Sequence, residues 1–544
     1  MTSQLLVPIA GTFAAYLLLQ LAKFLYEELT SPLRHLPGPT GTNLVLGHFR
    51  QIEMDSAITS KWRDEFGPNF QWRGLLNKRG LYTTDTKALN HILVNDYLYQ
   101  KGPVAKKIVT HFLGNGLLAV EMDEHKRQRK ILNPAFGVPQ IRELTEVFNE
   151  KSAQLRDIWM RQIAEDSGSA RIDVLVWLRK MTLDVIGQAG KSWIETYPSF
   201  NYQFNAMEAK GEPNELDEAL THLFHSPQAQ RQAALRFVQA AIPILGIFPT
   251  PGGKLINQAR RKMDEIANQL LTESKAAVRA GGGEKAGRDL LSIMVEANMS
   301  SEIPEHRKLS DADVIAQVPT FFVAGHETTS TATAWALHAL SMNRSAQTKL
   351  REELLGLPSD NPTMDALNSL PYLEKVVRET MRVHSPVGFT IRMAMDDDVI
   401  PLSKQYVDRR GKVYDSITVR RGTVIRIPIA AVHSDKDIWG DDAAEFRPDR
   451  WDHIPEATNT IPGVWGNLLT FLAGPHNCIG FRFSLVEMKS LLFALIRAFE
   501  FEMAVPEGGI GFTTTPVLRP TVLSEPEKGS QLPLIVRPYL ASQN

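Results

Sequence analysis

Cys478 is the only cysteine in a chain of 544 residues. One thiol cannot form an intrachain disulfide, a cysteine-rich zinc site or a self-contained iron–sulfur cluster. A chain of this length must therefore hold itself together with a hydrophobic core. It has the material for one: 43 % of its residues are hydrophobic and 22 % charged, an ordinary globular balance. Lys+Arg is 60 and Asp+Glu 61, so the net charge of −1 gives no overall basic excess to recruit nucleic acid. Any thiolate chemistry falls to Cys478, and without such chemistry a lone cysteine is a small buried hydrophobe.

The N-terminus bears on compartment. Leu5 to Ala22 carries no charge, and as a helix it spans about 27 Å, near the thickness of a hydrocarbon core. A cleaved signal peptide needs a basic start and a shorter apolar run. Here no Lys or Arg precedes Leu5, and Phe24-Leu25-Tyr26 extends the run beyond Lys23. The expectation is one transmembrane anchor in residues 1–30, followed by a catalytic domain in residues 31–544. The first positive charges, Lys23 and Arg34, lie on its C-terminal side, which puts the bulk of the chain in the cytosol. The sequons at Asn298 and Asn343 then go unused.

Ser31 to Gly41 is rich in Pro and Gly and reads as a stiff linker. Helical patterns dominate afterwards. Glu121 to Arg129 runs into Lys130-Ile131-Leu132, and Gly253 to Arg279 alternates apolar and charged residues at helical spacing. Gly281-Gly282-Gly283 marks a loop. Ser310 with Asp313 resembles a helix start before a long apolar-rich helix reaching about Asn343, which Pro319 should kink. Strand-like stretches come later, at 423–430 and 499–504. The coarse reading is mainly α with a smaller β portion.

Phe471 to Gly480 reads FLAGPHNCIG. Gly474, Pro475, Asn477 and Gly480 crowd Cys478 into a tight turn, and a helical pattern begins just after it. A thiolate at a helix N-terminus is favoured by the dipole and the free N–H groups. Such a loop suits an axial thiolate on haem iron. The arrangement Phe471-x-x-Gly474-x-His476-x-Cys478-x-Gly480 resembles the haem-binding signature of the cytochrome P450 superfamily, with His476 where many members have Arg.

Three further motifs carry the same resemblance. Ala324-Gly325-His326-Glu327-Thr328-Thr329 on the long helix is similar to the superfamily's oxygen-activation segment. Small residues such as Ala324 let a flat cofactor approach the backbone, and a carboxylate beside a hydroxyl can relay protons. The resemblance makes Glu327 and Thr328 an acid–alcohol pair and leaves His326 a bystander. Glu379 and Arg382 are three residues apart, on one helix face. With Arg450 of Phe446-Arg447-Pro448-Asp449-Arg450-Trp451, they match the family's buried structural network. Glu124 to Arg129 occupies the place of the family's propionate-contacting helix, where His125 stands for the usual Trp and Arg129 for the Arg. Arg392 is a further propionate candidate by position.

The resemblance implies a cytochrome P450 fold preceded by one transmembrane helix, and haem b held by the Cys478 thiolate. It implies O₂ activation with two electrons from a partner, and hydroxylation of a hydrophobic molecule. Too little chain follows Cys478 for a flavin domain, and no Gly-rich dinucleotide fingerprint follows a strand. NADPH-cytochrome P450 reductase is the expected donor and cytochrome b5 a second one. Lys126, Arg127, Lys130 and Arg482 are candidates for a basic docking face. By family position the substrate pocket draws on residues 104–118, Phe321-Phe322, 387–389 and 512–517. The sequence is similar to fungal microsomal members, many of which decorate terpenoids and other secondary metabolites, on the endoplasmic reticulum membrane. Fatty-acid or xenobiotic hydroxylation is the alternative. A haem-thiolate isomerase or dehydratase would share the cysteine loop without consuming O₂, but such enzymes often lack the acid–Thr pair present here. A haem sensor needs an output module, and none is visible.

Overall fold

The structure, a computed structural model, describes the chain apart from residues 1, 42, 55–57, 167, 189–203, 209–217, 219, 222–223, 226–234, 236–237, 241–250, 280–307, 514–516 and 541–544. The Gly281–Gly283 loop and the Asn298 sequon thus lie outside the described residues. In chain order the elements used below begin with α1 (Thr2–Leu29), β1 (Asn69–Arg73), β2 (Arg79–Thr83), α2 (Thr86–Val94) and β3 (Tyr99–Gln100). Next come α3 (Met122–Leu132), α4 (Val138–Glu165), β4 (Ala170–Asp173), α5 (Val174–Gln188), α6 (Pro251–Arg279) and α7 (Asp311–Met342). Then follow α8 (Arg344–Leu355), α9 (Pro371–Val383), β5 (Thr390–Ala394), β6 (Asp398–Val407), β7 (Val413–Val419) and β8 (Val424–Ile427). The chain closes with α10 (Phe481–Ala498), β9 (Phe499–Met503), β10 (Ile510–Phe512), β11 (Pro520–Val522) and β12 (Pro533–Pro538).

Two compact units emerge: Met1–Gly102 with Phe389–Ala431, and Pro103–Gly388 with Val432–Asn544. The first is built on a five-stranded sheet of order β1-β2-β8-β5-β3. Its pairs are antiparallel except β2 with β8. At that parallel pair Gly80 faces Val424, where an added Cβ would lie 2.7 Å from the Val424 carbonyl oxygen and 2.7 Å from Trp72 Nε1. Only glycine allows so close an approach. Trp62, Phe70, Trp72 and Tyr82 form the aromatic core, with the Phe70 and Tyr82 rings stacked at 4.2 Å. The C-terminal end of α1 is tied to this sheet, because Glu28 Oε2 accepts from Arg73 Nη1 at 2.6 Å and pairs also with Arg79. Among the described residues no helix is long and apolar enough to cross a membrane. The side chains of residues 1–10, part of the run that suggested an anchor, are outside the described set.

The second unit is mostly helical. α7 packs against α5 and α6, and α10 packs against α4. The Ser310 hydroxyl accepts from Asp313 N and the Asp313 carboxylate accepts from Ser310 N, a reciprocal cap that starts α7 at the expected place. Pro319 lies inside α7, which runs through it to Met342. Gly325 lets α5 come close, since an added Cβ would meet the Ile186 side chain at 2.8 Å. A three-stranded sheet β4-β12-β9 closes one part of this unit, and β10 pairs with β11. Aromatic side chains fill the space between helices and sheet, among them Phe148, Trp159, Phe483, Phe499 and Phe501.

Candidate active site

The cysteine loop is fixed from within. Cys478 N donates to Phe471 O at 2.9 Å and Asn477 N to Gly474 O at 3.1 Å. Leu472 and Gly474 both take positive φ, 57° and 68°. At Gly474 this is the conformation glycine supplies without strain, and at Leu472 the folded loop has to impose it. Phe471 packs on Phe481 of α10 and on Trp465, which holds the loop over the start of α10. Gly480 is the residue that caps that helix. The Cys478 residue is accessible, although protein atoms surround its sulfur closely enough that burial pushes the thiol up. The N–H of Gly480 and the Arg129 guanidinium pull the other way, toward thiolate.

α3 braces this loop. Arg129 Nη1 donates to Asn477 O at 2.6 Å and Nη2 to Asn477 Oδ1 at 2.8 Å, while its Nε donates to Asn133 Oδ1 at 2.8 Å. The fork grips the residue immediately before Cys478. The buried His125 ring stacks on the His476 ring, centroids 3.8 Å apart, and His476 Nε2 lies 3.0 Å from Glu121 Oε2. The structure therefore brings His125, Arg129 and His476 together around the loop and adds Glu121. Arg127 is committed elsewhere: it bridges Glu124 at 2.7 Å and Asp313 at the start of α7 at 3.0 Å. Of the residues proposed for the basic docking face, Lys126, Lys130 and Arg482 are exposed, while Arg127 is engaged in these two ion pairs.

Arg392 belongs to the sheet unit. It lies buried on β5, where its Nη1 donates to Thr390 Oγ1 and to Ile391 O, each at 3.0 Å. Sequence reasoning missed a second buried cation there. Arg426 on β8 stacks over the Phe389 ring at 3.7 Å, and burial pulls its guanidinium down to about 10. In the β5–β8 register Arg392 faces Ile425 and Arg426 faces Ile391, so the two cations project from opposite faces of the sheet. An arginine inside the apolar run 424–429 was the signal available in the sequence.

Behind the cysteine loop lies the network expected from the Glu-x-x-Arg spacing. Glu379 accepts from Arg382 Nε at 2.9 Å and Nη2 at 2.8 Å, from Arg450 Nε at 3.3 Å and from Trp451 Nε1 at 3.1 Å. Arg382 Nη1 also donates to His433 O at 2.7 Å. The His433 ring in turn accepts from Leu469 N at 2.8 Å, two residues before Phe471. The network thus reaches the cysteine loop through one histidine.

On α7 the two proposed catalytic residues diverge. Ala324 is exposed in mid-helix and Thr328 is half-buried, its hydroxyl donating to Ala324 O at 2.7 Å. Glu327 is 2 % exposed and turns into the protein. Its Oε2 accepts from Arg519 Nε at 2.8 Å, and its Oε1 lies 2.9 Å from His225 Nε2, 3.1 Å from His326 Nε2 and 3.7 Å from Arg179 Nε. Burial alone would raise this carboxyl, but Arg519 and the two histidines outweigh it and hold Glu327 well below the usual carboxylate range. Nothing local in the sequence marks Arg179, His225 and Arg519 as its partners.

These observations fit a group held through sulfur: the chain offers one accessible thiol at a helix start, a braced loop around it and a small exposed residue in mid-helix at Ala324. Comparison with known proteins agrees. The family model described as cytochrome P450 matches residues 36–524. Cytochrome P450 monooxygenase 205 of Postia placenta is 49 % identical over 518 residues, covering 94 % of each chain. Cytochrome P450 monooxygenase 128 of the same fungus is 47 % identical over 540 residues, 97 % of each chain. Cytochrome P450 monooxygenase claO of Ampulloclitocybe clavipes is 34 % identical over 519 residues, 93 % of each.

Proposed function

Because this chain belongs to the cytochrome P450 family, an oxidoreductase family whose members bind haem through a cysteine thiolate, we propose that it hydroxylates a hydrophobic small molecule, a terpenoid or related secondary metabolite. The haem, when bound, supplies the O₂ chemistry and draws its electrons from a redox partner. What remains is the work of this chain's own residues.

Cys478, the sole thiol, would hold the haem iron through its sulfur. Arg129 holds the backbone before it, and its positive charge favours the thiolate over the thiol. His125 and His476 would meet the carboxylate edge of the cofactor, and Arg392 is a further candidate by family position. Phe471, Gly474 and Gly480 shape the loop, and Ala324 leaves room for a flat group. Thr328 keeps a proton on Oγ1, parked on the Ala324 carbonyl, where it can be handed to an acceptor above the helix. Electrons come from NADPH-cytochrome P450 reductase, with cytochrome b5 as a second donor and Lys126, Lys130 and Arg482 as the docking charges. The exposed Leu18, Leu19, Leu21 and Leu25 of α1 support an anchor in the endoplasmic reticulum membrane, with the rest of the chain in the cytosol. A lipid-partitioning substrate suits that position.

The observation that carries this reading is the accessible sole thiol in the Arg129-braced loop. Its test is optical. The purified protein lacking the anchor should give the reduced carbon monoxide spectrum of a thiolate haem. Titration with sesquiterpenes, sterols and fatty acids should shift the Soret band for the substrate class. A carbon monoxide spectrum without thiolate character would overturn the site. A shift confined to fatty acids would replace the terpenoid assignment by the alternative.

A further inference from the structure

Glu327 sits where the family resemblance expects a proton-donating acid, yet its surroundings are those of a permanent anion. Four basic side chains from four parts of the second unit converge on it: Arg179 from α5, His225, His326 from α7 itself, and Arg519 beyond β10. All four are buried. A carboxylate in that company has no reason to carry a proton, and giving one away would first require taking one up against two guanidinium groups.

What the cluster does visibly is join segments far apart in sequence. The described residues 517–519 are closed onto Thr513 through the Arg519 amide, which donates to Thr513 Oγ1 at 3.1 Å, while Thr513 N donates back to Arg519 O at 2.9 Å. The same segment is pinned to α7 a second time, by Trp335 Nε1 donating to Leu518 O at 2.7 Å. It also forms a bridge with Val387 through Val517 and a backbone bond from Leu518 N to Pro386 O. The Arg519 guanidinium lies over the Phe224 ring at 5.3 Å, and Phe224 adjoins His225. One carboxylate thus gathers residues 224–225 and 517–519 onto α7, beside residues 386–388. Val387, Thr513 and Val517 fall within the stretches read above as substrate-lining.

We propose that Glu327 is a positioning residue: a buried anion that clasps residues 224–225 and 517–519 onto α7 and so sets the shape of the substrate pocket, leaving the hydroxyl of Thr328 to handle the proton. This rests on the monooxygenase reading for the word substrate, but the clasp itself is testable on the haem-loaded protein without turnover.

The variants are Glu327→Gln, Arg519→Gln and Arg519→Lys. In difference infrared spectra, Glu327→Gln should remove a carboxylate band at neutral pH. Loss of a protonated-carboxyl band instead would overturn the proposal. Amide hydrogen exchange at Thr513, 517–519 and 224–225 should rise in Glu327→Gln and Arg519→Gln, with the double variant no worse than either alone, and Arg519→Lys should restore part of the protection. Unchanged exchange in both single variants would refute the clasp. Two haem-ligating probes separate pocket shape from general damage. The bulky apolar azole clotrimazole should bind roughly tenfold more weakly to both Gln variants, while imidazole binds as before. Equal weakening of both probes would mean general damage to the haem site and would overturn the pocket-shaping role.

Discussion

Replacing Glu379 by Gln removes one negative charge from a site with no solvent to compensate. Glu379 and Arg382 are both 0 % exposed and Arg450 3 %. The carboxylate accepts from Arg382 Nε and Nη2, Arg450 Nε, Arg447 N and Trp451 Nε1. Arg450 keeps a second carboxylate, Asp442, at 2.6 Å, so it stays neutralised. Among the described residues Arg382 pairs with no other carboxylate. Its remaining partners are carbonyls, those of His433, Ala443 and Glu445. The amide nitrogen of Gln would also oppose an Arg382 donor. Breaking a buried pair in this way costs about 3–5 kcal/mol, a large part of the roughly 5–15 kcal/mol that holds a domain folded. The expected result is a matching drop in urea stability, followed through the fluorescence of Trp439 and Trp451, which lie against the network. Because His433 links Arg382 to Leu469, haem should also be lost faster on gel filtration. A stability loss below about 1 kcal/mol with unchanged haem retention would refute the reasoning, since the carboxylate would then be worth no more than a surface pair.

Other outcomes follow from the same structure. Glu487 on α10 is 1 % exposed, and burial holds its carboxyl well above the ordinary range, against a pull from Thr329. The native state therefore keeps a proton that the unfolded chain releases above about pH 4.5, so this group costs stability as pH rises from there. Glu487→Gln should raise the melting temperature at pH 7 and leave it unchanged at pH 4, and an equal change at both would contradict the assignment. Arg129→Lys keeps the charge but loses the fork on Asn477; it should cost about 1.5–3 kcal/mol and speed haem loss, measured by haem transfer to an acceptor protein. Thr328→Ala should lower product formed per NADPH roughly tenfold or more while the carbon monoxide spectrum stays normal, and intact coupling would remove Thr328 from proton transfer.

Much of this was legible in the amino-acid order because it is local. The Cys478 turn is announced by the glycines and proline crowded around it. The start of α7 is announced by Ser310 and Asp313, and the Glu379–Arg382 pair by a spacing of three on one helical face. In each case the partners are within a turn of each other, so chain geometry alone fixes the contact. Arg450 and the propionate helix were placed by resemblance rather than by spacing.

The charge state and company of Glu327 could not be read that way. Arg519 lies 192 positions away along the chain, and His225 lies 102 away. The His125–His476 stack, the Arg127–Asp313 bridge and the tie between Glu28 and the sheet are also contacts across long stretches of chain. The sequence by itself carried the family resemblance, the candidate thiol and the order of the motifs. Only the tertiary structure decided which charges meet, because they meet where apolar burial brings distant segments together, and there Arg519 and the histidines outweigh the desolvation that would otherwise raise the Glu327 carboxyl.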